Sequence, residues 1–366
     1  ARWSAAAARP LALALLLGVS LPFIAYSAGE GGGRVRLIMN DTWHDGLKEI
    51  REKTPEDATV YSWWPPGHFI TSLAERRVVI DGGSQHRPQS YWVARAFLAA
   101  DEREAAGIFR MLGASGNDAV AYLVSKGFEL PEAIDRTGSV VAASRDEART
   151  LLPESWSDTE DEEFLNLTHG KKPPQPAYVL LYNDLIRQNL AMSLVARWDF
   201  RKAKKVMDRR GYIPGDDLDY LLSMTEGILN YTPEASLSRK GEEGMVFTNG
   251  LVFNPETMEA RIDFPNPSLG RKPASLFWMS DGKLVEKSFT GETARESALL
   301  MERSGEYTSV IAAPELARSM LFRMYYLDGI GLLAFRPFLE HRDPDTGTVL
   351  RVYEIDWDAL EGSPTP

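Results

Sequence analysis

Apolar positions follow three patterns along the chain. The first is continuous: Pro10 to Ala28 reads PLALALLLGVSLPFIAYSA and carries no charge. As a helix it would span about 28 Å, close to the hydrocarbon thickness of a bilayer. Arg2 and Arg9 precede it, so the positive-inside rule puts everything after Gly29 outside the cytoplasm. Pro22 is a kink that membrane helices tolerate. A cleaved signal peptide is the competing reading. The start at Ala1 and the poor A-x-A match around Ala25 to Ala28 weigh towards a membrane helix. Both readings place the bulk of the chain outside the cytoplasm.

The second pattern mixes helical spacing with short apolar runs. Gly29 to Gly33 (GEGGG) is a flexible hinge, and Arg34 to Met39 reads as a short strand. Asn40 or Asp41 caps a helix to about Lys53, with Trp43, Leu47 and Ile50 on one face. Thr54 to Asp57 is a turn, and Ala58 to Ser62 is a buried strand that the prolines after Trp64 must end. A helix from His68 to Ala74 and a strand from Arg77 to Ile80 lead to the turn Asp81-Gly82-Gly83. Ser90 to Ala99 and Glu102 to Leu112 are helical, with Asp101 as a cap. Ala119 to Leu123 and Ser139 to Ala142 read as strands between helices, which makes an α/β pattern. After a polar break from Glu154 to Pro176, with the acidic run Asp158 to Glu163 read as a solvated loop, come a strand Tyr178 to Tyr182 and a helix Leu185 to Trp198.

The third pattern is β-rich. Met245 to Phe289 alternates strands and turns, with a hairpin signal at Asp281-Gly282. Tyr307 to Ala312 is a strand, Pro314 opens a helix to Leu327, and Val349 to Trp357 is a final strand. The expected fold is a mixed α/β extracytoplasmic domain with a β-rich C-terminal part, preceded by one transmembrane helix. The expected divisions are 1–33 (membrane helix and hinge), 34–244 (α/β core) and 245–366 (β-rich part).

Composition removes several function classes. The chain of 366 residues has no cysteine, which excludes disulfides, thiolate zinc sites and cysteine nucleophiles. Its net charge of −11 disfavours nucleic acid as a partner. His44, His68, His86, His169 and His341 form no i,i+4 pair, and no phosphate-binding glycine loop or nucleophile elbow occurs. The sequence holds no self-sufficient catalytic constellation. The basic stretch Arg197 to Arg210 reads either as a solvated helix end or as a face toward anionic lipid head groups. Asn166-Leu167-Thr168 and Asn230-Tyr231-Thr232 are glycosylation triplets within the chain.

The least ordinary local sequence is Tyr61-Ser62-Trp63-Trp64-Pro65-Pro66-Gly67-His68. Adjacent tryptophans can simply anchor a loop to a core. Followed by two prolines, they also make a stiff turn with indole N–H donors, suited to a small polar group beside an apolar wall. Together with Thr42-Trp43-His44-Asp45-Gly46-Leu47, Thr54-Pro55-Glu56-Asp57-Ala58 and Asp81-Gly82-Gly83, this stretch resembles the catalytic subunit of oligosaccharyltransferase. In that family a helix after the last transmembrane segment leads through T-P-E-D/N to W-W-D-Y-G and then to a D-G turn. Leu316 to Gly329 is similar to the family's late helix.

The resemblance implies transfer of an oligosaccharide from a lipid-linked donor to the side-chain amide of Asn in N-x-[ST]. It implies a divalent metal, Mg or Mn, with acidic residues in the membrane part of the enzyme. No catalytic residue or metal ligand is then expected in this stretch. Its expected partners are an acceptor polypeptide, the lipid-linked donor and membrane lipids, at the cell membrane. The family's W-W-D unit binds the hydroxyl of the +2 Ser or Thr, so Trp63, Trp64, Pro65 and Gly67 inherit acceptor binding by match. Pro65 stands where the family has Asp and Pro66 where it has Tyr. A pocket without that carboxylate is expected to show weaker or altered +2 selectivity. Met192 and Val195 resemble the family's M-x-x-I helix, which touches the +2 Thr methyl. Read without the family, the same pair is a core stripe. Two other readings stay open: a paralogue with an altered acceptor or a binding-only role, and an anchored or secreted periplasmic binding protein.

Overall fold

The computed structural model describes residues 39–170, 175–210, 234–241, 244–263, 270–281, 283–291, 295–303 and 305–362. The apolar segment 10–28, the hinge 29–33, the strand expected at 34–39 save for its last residue, and the triplet at Asn230 lie outside these. Among the described residues no helix is long and apolar enough to cross a membrane. The chain divides into two units, 1–44 and 45–366. In the first, Asn40 Oδ1 accepts from the Trp43 N–H at 3.2 Å, an N-cap for the helix Asp41–Lys53.

The second unit holds two sheets. The first contains β1 (Thr59–Tyr61), β2 (Ala177–Tyr182), β12 (Thr348–Ile355) and β11 (Phe335–Asp343), in that order. β1 and β2 are parallel, and the other neighbours are antiparallel. Every residue of β2 is buried, as expected of a strand covered on both faces. The helices Pro88–Leu98, Glu102–Ser115, Leu130–Ala142 and Asp158–His169 pack together in this part. Glu102–Ser115 is buried without a break from Ala105 to Leu112. Its Gly107 permits that packing: a Cβ there would stand 1.8 Å from the Val141 carbonyl oxygen. Phe109 of the same helix stacks on Tyr61 at 4.6 Å between ring centroids, and the Tyr61 hydroxyl donates to the Phe109 carbonyl at 2.7 Å. β1 is thereby pinned just before Trp63.

The second sheet has eight strands, in the order β6 (Glu259–Ile262), β5 (Leu251–Asn254), β4 (Gly244–Phe247), β3 (Ala235–Gly241), β10 (Glu306–Ala312), β9 (Ser297–Arg303), β7 (Ser275–Ser280) and β8 (Lys283–Ser288). Phe247, Leu251, Phe253 and Leu276 form its core. The helix Met320–Tyr326 follows, and the Met320 N–H donates to the Ala99 carbonyl at 2.8 Å. β11 and β12 then return to the first sheet. A mixed α/β architecture with a β-rich region is what the patterning predicts.

Several expected elements differ. Ala119 to Leu123 lies in the helix Asp118–Ser125, where buried Ala119, Val120 and Leu123 share one face. Ser139 to Ala142 ends the helix Leu130–Ala142. A run of four or five apolar residues cannot itself distinguish strand from helix, and neighbouring turns decide. Arg77 to Ile80 makes only a single bridge, between Arg77 and Thr59. The acidic run 158–163 is not a loop but the start of the helix Asp158–His169. Ser157 and Glu160 form a capping box there, and carboxylates favour a helix N-terminus. The triplet at Asn166 sits in that helix with Thr168 fully buried, which removes it as an acceptor in the folded chain. In the basic helix Phe200–Arg210, Arg201 pairs with Asp135 and Lys204 with Glu129, so part of its charge is already matched.

Candidate functional site

The site is built on the loop between β1 and the π-helical turn Ile70–Ala74. Two prolines fix the backbone there and remove N–H donors, so the remaining hydrogen bonds define the turn. The Gly67 N–H donates to the Trp64 carbonyl at 3.1 Å and the Ile70 N–H to the Pro66 carbonyl at 2.9 Å. The Thr71 hydroxyl closes on the Gly67 carbonyl at 3.0 Å. Ser62 ties the loop to β2 through the Leu180 carbonyl at 3.0 Å.

Gly67 is the point of closest approach. A Cβ on it would lie 2.6 Å from Asp81 Cβ and 2.7 Å from the Ile80 carbonyl oxygen. The Asp81-Gly82-Gly83 turn therefore packs directly on the tryptophan loop. Asp81 organises that turn: Oδ1 accepts from the Ser84 hydroxyl at 2.7 Å and the Gly83 N–H at 3.0 Å. The Ser84 hydrogen bond leads in holding the Asp81 carboxyl below its ordinary range. His68 Nδ1 stands 3.6 Å from Asp81 Oδ2. The segment beneath is held by buried Arg76, which donates to the Thr54 hydroxyl at 2.8 Å and to the Thr54 and Arg51 carbonyls at 2.6 Å each. Arg76 thus ties the end of the π-helical turn that follows the loop to Arg51 and Thr54. Sequence reasoning passed over it because a lone Arg between loops carries no pattern.

Trp63 is 3% exposed, and its indole Nε1 has no hydrogen-bond partner among the described residues. A buried donor left without a partner costs about 1–3 kcal/mol. Trp64 and Pro65 are half-buried at the surface of the loop. The loop therefore holds an unsatisfied N–H inside, with the half-buried Trp64 and Pro65 on its outer face. Pro65 supplies no carboxylate.

Met192 and Val195 lie on the helix Asn189–Ala196, which packs against Pro88–Leu98. Met192 is fully buried, whereas Val195 lines a cleft of about 340 Å³ beside Tyr91, Trp92 and Trp198. Sequence reasoning missed that cleft because its walls come from segments far apart in the chain. Among the described residues no three His, Asp or Glu side chains converge as a resident metal requires.

A second cavity, of about 540 Å³, is lined by Tyr61, Arg77, Arg110, Asn166, His169 and Trp357, among others. Burial, reinforced by the Arg110 cation, pushes the His169 imidazolium down to about 3, so the ring is neutral near pH 7. Its Nδ1 lies 2.8 Å from the Thr168 hydroxyl and its Nε2 3.1 Å from the Ala143 carbonyl. Between about pH 6.5 and 3 the unfolded chain binds a proton that the folded chain does not. The native state then loses up to about 1.4 kcal/mol per pH unit as pH falls, and nothing above pH 6.5. Urea midpoints followed from neutral pH to about pH 4 are expected to fall more steeply in the wild type than in His169→Gln. Parallel curves contradict a buried neutral ring.

Residues 56–128, which hold the tryptophan loop and the Asp81 turn, match the STT3/PglB/AglB core domain. A dolichyl-phosphooligosaccharide-protein glycotransferase of Methanocaldococcus jannaschii is 33% identical over 364 residues, covering 94% of this chain and 37% of the relative. The chain is similar to the oligosaccharyltransferase catalytic-subunit family. The Methanococcus voltae glycotransferase is 35% identical over 167 residues, 44% of this chain and 18% of that protein. The chain thus spans well under half the length of these archaeal relatives. The crystal structure of the C. jejuni PglB C-terminal domain aligns over 86% of this chain and 99% of its own, with a TM-score of 0.47 and 13% identity.

Proposed function

We propose that this chain is the acceptor-recognition part of a membrane oligosaccharyltransferase. In this reading the enzyme moves a lipid-linked oligosaccharide onto the side-chain amide of Asn in N-x-[ST]. The carrying observation is the unpartnered, buried Trp63 Nε1–H inside a loop clamped by the Asp81 turn. A donor kept dry and unpaired at a domain's signature loop is suited to a polar group brought by a ligand. Trp63 and Trp64 are the acceptor-binding side chains, Pro65 offers its carbonyl, and Gly67 permits the close contact with Asp81. Val195 lends an apolar wall, and Met192 supports that helix from within. The divalent metal and the carboxylates that activate the amide belong to the stretches of the family enzyme that this chain does not match. Mg²⁺ or Mn²⁺ there would polarise the donor, and the protein sits at the cell membrane with this part outside the cytoplasm.

Pro65 in place of Asp favours altered +2 selectivity within this reading. The test is transfer by the full-length protein in membranes, with lipid-linked oligosaccharide and an N-x-T peptide. Glycosylation of the Asn, lost when Asn is replaced by Gln, is the expected result. A full-length protein that binds the donor yet modifies no N-x-[ST] peptide would contradict the proposal.

A further inference from the structure

The cleft of about 340 Å³ lies between the segment that follows the Asp81 turn and Val195, one of the residues assigned to acceptor binding. On one side the backbone leaves the Asp81 turn through the Arg87 N–H to Ser84 carbonyl bond of 3.0 Å, and residues from Gln85 onward form its wall. On the other side stands Val195. The inference rests on the acceptor reading above.

The lining is aromatic and rigid. Tyr91 meets Phe200 edge-on at 5.1 Å and Trp92 at 5.1 Å. The Trp92 Nε1–H is already given to Asn117 Oδ1 at 2.9 Å, so its ring adds an apolar wall. Leu130 is 48% exposed at the rim, an apolar group that gains from being covered. Ser90 also lines the cleft, is 4% exposed, and its hydroxyl has no hydrogen-bond partner among the described residues. An apolar chamber with one orphan hydroxyl asks for a group with an apolar body and a polar tip. The volume lies at the small end of ligand sites, suited to one large side chain and not to a lipid tail. The apolar walls disfavour a sugar, whose ring of hydroxyls would go unpaired.

We infer that this cleft is an acceptor subsite that takes a large aromatic side chain, tyrosine best, from a position flanking the glycosylated Asn. The test uses the full-length enzyme with lipid-linked oligosaccharide. Its acceptors are peptides with one N-x-T core and Tyr, Leu or Ser scanned through the flanking positions. At one position Tyr is expected to raise kcat/KM over Ser by about tenfold or more, with Leu between them. Leu130→Glu, at the exposed rim, and Trp198→Ala are each expected to bring that Tyr-to-Ser ratio to within about twofold of unity. No flanking preference in the wild type, or a preference that survives both variants, overturns the subsite and leaves the acceptor reading standing. Free oligosaccharide that competes selectively with the Tyr peptide would assign the cleft to glycan and also overturn it. Transfer to no peptide at all overturns the acceptor reading, and the subsite with it.

Discussion

Trp63→Phe is expected to cut kcat/KM of the full-length enzyme for an N-x-T peptide by about tenfold or more, with fold stability within about 1 kcal/mol of wild type. The two effects separate because of where the indole N–H sits. In the free chain it is buried and unpartnered, so its loss removes a destabilising group. That gain roughly offsets the packing lost when the smaller phenyl ring replaces the indole. In the acceptor complex the same N–H meets an oxygen, and its loss is felt in full. A residue serving only the core would leave transfer per folded molecule unchanged. Unfolding midpoints and peptide kinetics on the same preparations read both quantities.

Pro65→Asp is expected to raise the preference for Thr over Ala at +2 by about tenfold or more. A carboxylate beside the indoles would accept from the acceptor hydroxyl in a charge-assisted bond. Once present, it is left unpaired by an Ala peptide, and sites built to hydrogen-bond a hydroxyl reject analogues lacking it. Pro65 is half-buried at the loop surface, so the change asks little of the core. Pro65 has no N–H to lose, and the Gly67 to Trp64 bond that closes the turn remains available. Competition between N-x-T and N-x-A peptides measures the ratio. An unchanged ratio means that this loop does not read the hydroxyl.

The tryptophan loop and the Asp81 turn were legible because each is local. Prolines, glycines and an Asp three residues before Ser84 write their own turn chemistry into a few positions. The buried strand before Trp63 was legible for the same reason, as an apolar run stopped by proline. The helices at Ala119 to Leu123 and Ser139 to Ala142 were not, because such short runs suit either period until packing decides. Strands β11 and β12 carry no sign that they join β2. That pairing links residues far apart in the chain and depends on which edge the rest of the fold leaves free. The clamp by Gly67 could have been suspected from a Gly at the end of a proline turn. Its partner, Asp81, could not.

The central claim is that the loop from Trp63 to Gly67 holds the acceptor polypeptide. Its most direct test is photo-crosslinking of the full-length protein with an N-x-[ST]-type peptide carrying a diazirine side chain at +2, mapped by mass spectrometry. The expected adducts fall within residues 61–68 and are competed away by unlabelled N-x-T peptide. Competed adducts confined to other parts of the protein would contradict the account.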